Sequence, residues 1–139
     1  MQALYTATAT AVGGRNGSIK SSDGVLDLQL AYPKELGGPG GNATNPEQLF
    51  AAGYAACFEN ALLRVARERK APIRESSVTA QVAIGRDAKG FFELAVVLEV
   101  SVPNRDKAEI EEMVRTAHGE VCPYSRATRG NIDVKLRVI

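Results

Sequence analysis

Tryptophan is absent from this chain, histidine occurs once, and the large aromatic residues are four tyrosines and four phenylalanines. So few rings argue against a stacking platform for single-stranded nucleic acid. An excess of charge is lacking as well. The formal net charge is +1, so there is no electrostatic footprint for nucleic acid or an acidic membrane surface. No N-terminal stretch joins basic residues to an apolar run in the manner of a signal peptide. The longest apolar run is interrupted by Glu59 and Asn60, well short of the roughly 20 residues a membrane helix needs. A soluble, cytoplasmic protein is expected, with no nucleic acid or membrane partner. The 139 residues suffice for one domain, 1–139, with a real core, but not comfortably for two.

What is present centres on residues 45–70, NPEQLFAAGYAACFENALLRVARERK. Thr44 or Asn45 can cap a helix here, and Pro46 suits its first position, where the missing N–H goes unmissed. Glu47 falls in the first turn, where the helix dipole favours negative charge. From Leu49 to Ala56 no side chain is charged. A helix apolar on every face belongs in the core, and Cys57 stands in its middle. Arg64, Arg67, Arg69 and Lys70 mark the far end emerging into water, and Pro72 stops continuation.

Around this helix the pattern alternates. Residues 4–12, 18–21 and 25–31 read as three strands of a meander, separated by Gly13-Gly14 and by the turn Ser22-Asp23-Gly24. Residues 33–44 form a glycine-rich loop. It lacks the Gly-Lys-Ser/Thr ending of a phosphate loop and feeds a helix opening with Pro and Glu. Shaping the mouth of a site or packing on a partner chain suits it better. Residues 76–84 and 91–102 form a hairpin. A second helix runs from Lys107 to about His118, with Ile110, Met113, Val114 and Ala117 on one face and Gly119 placed to cap it. Residues 133–139 are a last strand. The order β-β-β-α-β-β-α-β, rich in hairpins, predicts an α+β architecture with mixed or antiparallel sheet.

The two cysteines, Cys57 and Cys122, are the chief candidates for chemistry. In a reducing compartment such a pair is catalytic, redox-sensing, metal-binding or merely buried. A reactive thiol must be a thiolate. Cys57 lies too far from its helix's positive end to be helped by it, and burial favours the neutral form. A cation would have to come from elsewhere: Arg15, Arg126, Arg129 or His118. Arg15 sits on the turn GGRNG, where glycines permit close approach, although a solvated turn arginine is the plainer reading. Glu47 serves the helix dipole, worth about 0.3–1 kcal/mol, or else holds an arginine. It lies ten residues before Cys57, roughly 15 Å along an ideal helix. One arginine must therefore span them, or a second chain must complete the site. Zinc held by Cys57, Cys122 and His118 is weakly supported: there is no C-x-x-C and no second histidine. His118 reads better as a helix C-terminal cation or surface residue. A redox cycle would use both thiols in turn, one becoming a sulfenic acid and the other resolving it. Phe50, Phe58 and Tyr124 could receive an alkyl or acyl chain, and each is also a plausible core residue.

Three segments, GGRNG (13–17), NPEQLFAAGYAACF (45–58) and VCPYSRATRGN (121–131), resemble the organic hydroperoxide resistance proteins of the OsmC-like superfamily. The element order fits over essentially the full length. The Y-A-A-C-F and C-P-Y-S contexts favour this branch over the OsmC branch. The resemblance implies an intertwined homodimer with active sites at the subunit interface. It implies a thiol-dependent peroxidase that reduces organic hydroperoxides, including fatty-acid hydroperoxides, to alcohols and so protects against oxidative stress. By motif position, Cys57 matches the peroxidatic cysteine and Cys122 the resolving one. Arg15 matches the arginine that stabilises the thiolate and positions peroxide, and Glu47 the glutamate that holds it. The family needs no bound metal, haem or flavin. Its disulfide is reduced by an external dithiol, usually a lipoylated protein. A non-enzymatic redox sensor or ligand-binding protein of the same fold is the alternative.

Overall fold

The computed structural model describes residues 1–139. The chain divides into two compact units, Met1–Leu49 and Phe50–Ile139. In the first, β1 (Ala9–Val12), β2 (Ser18–Ser21) and β3 (Asp27–Gln29) form an antiparallel meander in that order. The outer strands are shorter than their sequence patterns suggest because β2 is only four residues long and offers no further pairing positions. Leu30 adds an isolated bridge to Thr44. Between β2 and β3, Asp23 Oδ1 accepts hydrogen bonds from Ser21 Oγ and the Val25 N–H, which closes the expected turn. Leu30 is the one buried residue of this unit, whereas Leu4, Tyr5, Val12, Val25, Leu26 and Leu28 are exposed.

The long helix α1 (Pro46–Glu68) begins where the sequence indicates. Asn45 Oδ1 accepts the Gln48 N–H at 2.8 Å, satisfying one of the unpaired donors of the first turn. Tyr54, Phe58, Ala61, Leu62, Val65 and Ala66 form one buried stripe. Burial on every face does not hold within the chain: Ala52 and Ala56 are exposed. These positions are uncharged because they are alanines, which suit a helix surface as well as a core, and the helix is amphipathic rather than apolar all round.

The second unit holds a mixed sheet. β4 (Ser77–Arg86) and β5 (Phe92–Ser101) form the hairpin, and β6 (Asp133–Val138) runs parallel to β5 on its other side. Val96, Leu98 and Val100 of the central strand β5 are buried, with period two, on the face that packs into the core. Helix α2 (Lys107–Thr116) is capped by Asp106, whose side chain accepts the Glu109 N–H. Its expected face, Ile110, Met113, Val114 and Ala117, is buried. The helix does not stop at Gly119. It widens into one π-helical turn over Ala117–Val121 and hands directly to a short helix, α3 (Pro123–Thr128), that the sequence pattern did not suggest. Pro123 holds the first position of α3 and Cys122 its cap.

Candidate active site

The site residues fall into two groups. In the first unit, Arg15 lies on a single 3-10 turn, Gly14–Asn16, between β1 and β2. Gly13 and Gly14 both have left-handed backbone, with φ of 78° and 59°, which glycine adopts without strain. At Gly17 a Cβ would lie 1.7 Å from the Val12 carbonyl oxygen. The GGRNG segment is thus a tight turn that only these glycines can form, and it aims one guanidinium. Arg15 Nη1 donates to Glu47 Oε2 at 2.8 Å, and Nη2 to Oε1 at 2.5 Å. This fork-to-fork pair is the strongest geometry available to an arginine and a carboxylate. The guanidinium carbon also lies 5.7 Å from the centroid of the Tyr32 ring. The Arg15 hydrogen bonds hold the Glu47 carboxyl below the usual carboxylate range against the opposing effect of burial. In turn the same bonds raise the Arg15 pKa. Glu47 is therefore a fixed anion and Arg15 a fixed cation.

In the second unit, α1 presents Cys57 to Cys122 at the start of α3. Both thiols are free, and their sulfurs are 3.7 Å apart. A disulfide needs about 2.05 Å, so the pair is reduced and within a small movement of bonding. Cys57 is half-buried, whereas Cys122 is 2% exposed. Burial pushes the Cys57 thiol up, the backbone N–H of Tyr124 pulls it down, and the neighbouring Cys122 raises it further. The Ser125 N–H donates to Cys122 Sγ at 3.4 Å. The opening amides of α3 therefore serve both sulfurs.

Phe50, Tyr54 and Tyr124 form an aromatic cluster beside the thiols. Ring centroids are 6.1 Å apart for Phe50–Tyr124 and 5.7 Å for Tyr54–Tyr124. Gly53 leaves room for it, since a Cβ there would lie 3.0 Å from the Tyr124 hydroxyl. Phe50 and Tyr124 keep exposed surface. Phe58 does not: it is fully buried in the hydrophobic core and offers a substrate nothing, which corrects the expectation for that residue.

His118 also departs from expectation. It is half-buried, and burial together with the Arg129 charge lowers its pKa from the ordinary 6.5. Both effects favour the neutral imidazole over a helix-end cation. Its Nδ1 lies 2.9 Å from Ser125 Oγ. Cys57, Cys122 and His118 do not gather into a metal-binding cluster, and no group of three or more His, Cys, Asp or Glu side chains does. Tyr54, Ser125 and Thr128 form a buried hydroxyl cluster that sequence reasoning missed. The available signal was Tyr54 itself, because a tyrosine on a buried helix face needs a partner for its hydroxyl.

The chain is thus an α+β protein with one thiol on a long helix and a second at the cap of a short one. The family model described as OsmC-like protein matches residues 38–137. An organic hydroperoxide resistance protein of Xanthomonas axonopodis pv. citri is 56% identical over 96% of this chain and 93% of its own length. The organic hydroperoxide resistance protein OhrB of Bacillus subtilis is 50% identical over 98% of each. The crystal structure of an organic hydroperoxide resistance protein from Legionella pneumophila superposes with a TM-score of 0.92 at 52% identity, covering 99% of this chain and 98% of that one. The chain belongs to the OsmC-like family, in its organic hydroperoxide resistance branch.

Proposed function

We propose that this protein is a thiol-dependent peroxidase that detoxifies organic hydroperoxides. Two free thiols 3.7 Å apart, one half-buried and one fully buried, carry the reading. The names of the relatives, organic hydroperoxide resistance proteins, support the substrate class. The Cys57 thiolate attacks the distal peroxide oxygen. The O–O bond breaks, the alcohol leaves as an alkoxide that takes a proton, and Cys57 becomes a sulfenic acid. Cys122 then attacks the Cys57 sulfur, the S–O bond breaks, and the departing hydroxide leaves as water with the proton that Cys122 gives up. Two thiols have supplied the two electrons. An external dithiol, of the lipoyl type, returns both cysteines to the reduced state by exchange. No bound metal or organic cofactor takes part.

Arg15 is assigned the positive charge that thiolate and alkoxide require, since a guanidinium stays charged and offers a rigid set of donors. Glu47 is assigned the task of fixing it. Phe50 and Tyr124 receive the alkyl or acyl chain, so bulky peroxides are preferred to hydrogen peroxide. A homodimer is part of this reading. In the first unit only Leu30 is buried while nine large apolar side chains are exposed, and α1 exposes Ala52 and Ala56. Apolar surface of this extent on a small domain is normally covered by a partner.

One experiment tests the core of the proposal. Reduced protein is treated with one equivalent of cumene hydroperoxide and its intact mass measured. A loss of two hydrogens and a Cys57–Cys122 cross-linked peptide are expected. With excess dihydrolipoamide the protein should turn over, and Cys57→Ser should not. Continued peroxide consumption by Cys57→Ser overturns the assignment, and stoichiometric oxidation without turnover makes the protein a redox sensor.

A further inference from the structure

A line of buried polar groups runs behind the thiol pair. His118 Nδ1 lies 2.9 Å from Ser125 Oγ, Ser125 Oγ 3.0 Å from the Tyr54 hydroxyl, and that hydroxyl 3.0 Å from Thr128 Oγ1. Thr128 Oγ1 lies 3.0 Å from the Tyr124 carbonyl oxygen and 3.2 Å from that of Ser125. Tyr54 and Ser125 are wholly buried and Thr128 nearly so. No buried side-chain nitrogen or oxygen lacks a partner.

The direction of every bond in this line follows from its far end. A carbonyl only accepts, so Thr128 spends its single hydroxyl proton on the backbone. It must then accept from Tyr54, and Tyr54 must accept from Ser125. Ser125 has no proton left and accepts from His118. The imidazole is therefore a donor through Nδ1, which fixes the Nδ1–H tautomer of the neutral ring. The line anchors α3 by its side chains. The same short helix supplies the Ser125 N–H to Cys122 and the Tyr124 N–H that lowers the Cys57 pKa.

We infer that His118 is a positioning residue for closure of the disulfide: by donating through Nδ1 to Ser125, it holds the turn that carries Cys122 in line with Cys57. This rests on the two-thiol reading above. Closure forms the S–S bond as the S–O bond of the Cys57 sulfenic acid breaks, with water leaving. The sulfurs must move from 3.7 Å to about 2.05 Å, and a nucleophile slightly misplaced loses much of its intramolecular advantage. If the anchor slackens, the sulfenic acid outlives its normal span and meets a second peroxide, which oxidises it to the sulfinic acid.

The test separates the two steps. Wild-type, His118→Gln and His118→Asn proteins are mixed with cumene hydroperoxide. Sulfenic acid formation and disulfide closure are followed by quenched intact mass. Gln cannot place a donor where Nδ1 stood, whereas the Asn amide can. Expected are a first step slowed much less than closure, since the Tyr124 N–H that acts on Cys57 rides on the same helix, closure slowed roughly tenfold in His118→Gln, as loss of about one hydrogen bond implies, accumulation of sulfinic acid, and recovery of closure in His118→Asn. Equal closure rates in all three proteins overturn the inference, as does a first step in His118→Gln slowed as much as closure. Independently of any variant, the imidazole nitrogen shifts of the wild-type protein should report the Nδ1–H tautomer above pH 7, and the Nε2–H tautomer overturns the inference. Wild-type protein that forms no Cys57–Cys122 disulfide at all instead removes the two-thiol reading.

Discussion

Replacing Glu47 by glutamine tests whether the Arg15–Glu47 pair acts as a charged fork. The pair makes two hydrogen bonds, at 2.8 and 2.5 Å, between side chains that are 26% and 13% exposed. A hydrogen bond to a charged group contributes about 1.5–3 kcal/mol. Partial solvent access draws this toward the lower figure. Glutamine retains one acceptor but turns its amide donors toward the second guanidinium nitrogen. The expected loss is therefore about 1–2 kcal/mol at pH 7, or a midpoint shift on the order of 1 M in urea with the slope unchanged. The pH dependence gives the sharper check. The Glu47 pKa is lower in the folded protein than its ordinary value of 4.5. Near pH 4 the folded state thus binds fewer protons than the unfolded chain, and stability rises with pH there. The gap between wild type and Glu47→Gln should be full above about pH 5 and close as pH falls through the folded pKa. Arg15, whose pKa is raised, stays charged throughout. Urea titrations from pH 3 to 8 measure the gap. A gap that is absent at pH 7, or equally large at pH 3, refutes the charged fork.

Three further outcomes are expected. Tyr54→Phe removes a hydroxyl with two buried partners, so urea unfolding should show a loss of about 1–3 kcal/mol. It also frees the Ser125 proton, which can turn to His118 Nδ1 only if the ring changes tautomer, a change nitrogen NMR would register. Arg129→Gln should raise the His118 pKa part of the way to 6.5, because the Arg129 charge is the lesser of the two causes that lower it and burial remains. With one histidine in the chain, proton NMR titration reads this without ambiguity. The sign for stability follows: a histidine held neutral by the fold loses stability as pH drops below 6.5, and the variant should lose less over that window. Gly53→Ala gains about 1 kcal/mol of helix propensity but crowds the Tyr124 ring, whose nearest atoms would lie 3.0–3.4 Å away. Stability should change little, while KM for a long-chain hydroperoxide changes more than KM for a small one, in steady-state assays with dihydrolipoamide.

Much of the fold was legible because its signals are local. Pro46 and Asn45 start α1, Asp106 starts α2, and the period-two run in β5 selects the buried face. The misreadings arose where a local signal was ambiguous. Ala52 and Ala56 are apolar yet exposed, because alanine suits a helix surface as well as a core. Gly119 could cap a helix, but the backbone runs on through a wide turn whose closing bond, from the Cys122 N–H to the Ala117 carbonyl, is specified by packing rather than by composition. The candidate residues were legible as types, not as an arrangement. The fork between Arg15 and Glu47 joins positions 32 apart, the Cys57–Cys122 contact joins positions 65 apart, and the Tyr54–Ser125 contact 71. No periodicity encodes such pairings.

Cys57 faces opposed demands, and the arrangement around it suggests how both can be met. A greasy peroxide calls for apolar walls, and apolar walls disfavour the thiolate. Removing the walls would admit water and lose selectivity, so the charge must be favoured by groups that bring little bulk with them. A backbone amide is the least bulky donor available, and the Tyr124 N–H acts on Cys57 in that sense. An amide can serve only if its helix is held still, and α3 is too short to hold itself: its six residues fall far below the roughly 12–15 at which an isolated helix becomes even marginal. The hydroxyls of Ser125 and Thr128, tied through Tyr54 to α1 and through His118 to the turn after α2, supply the stiffness that length does not. A polar cluster in the core, which would otherwise be a liability, thus holds the short helix whose opening amides face the two sulfurs.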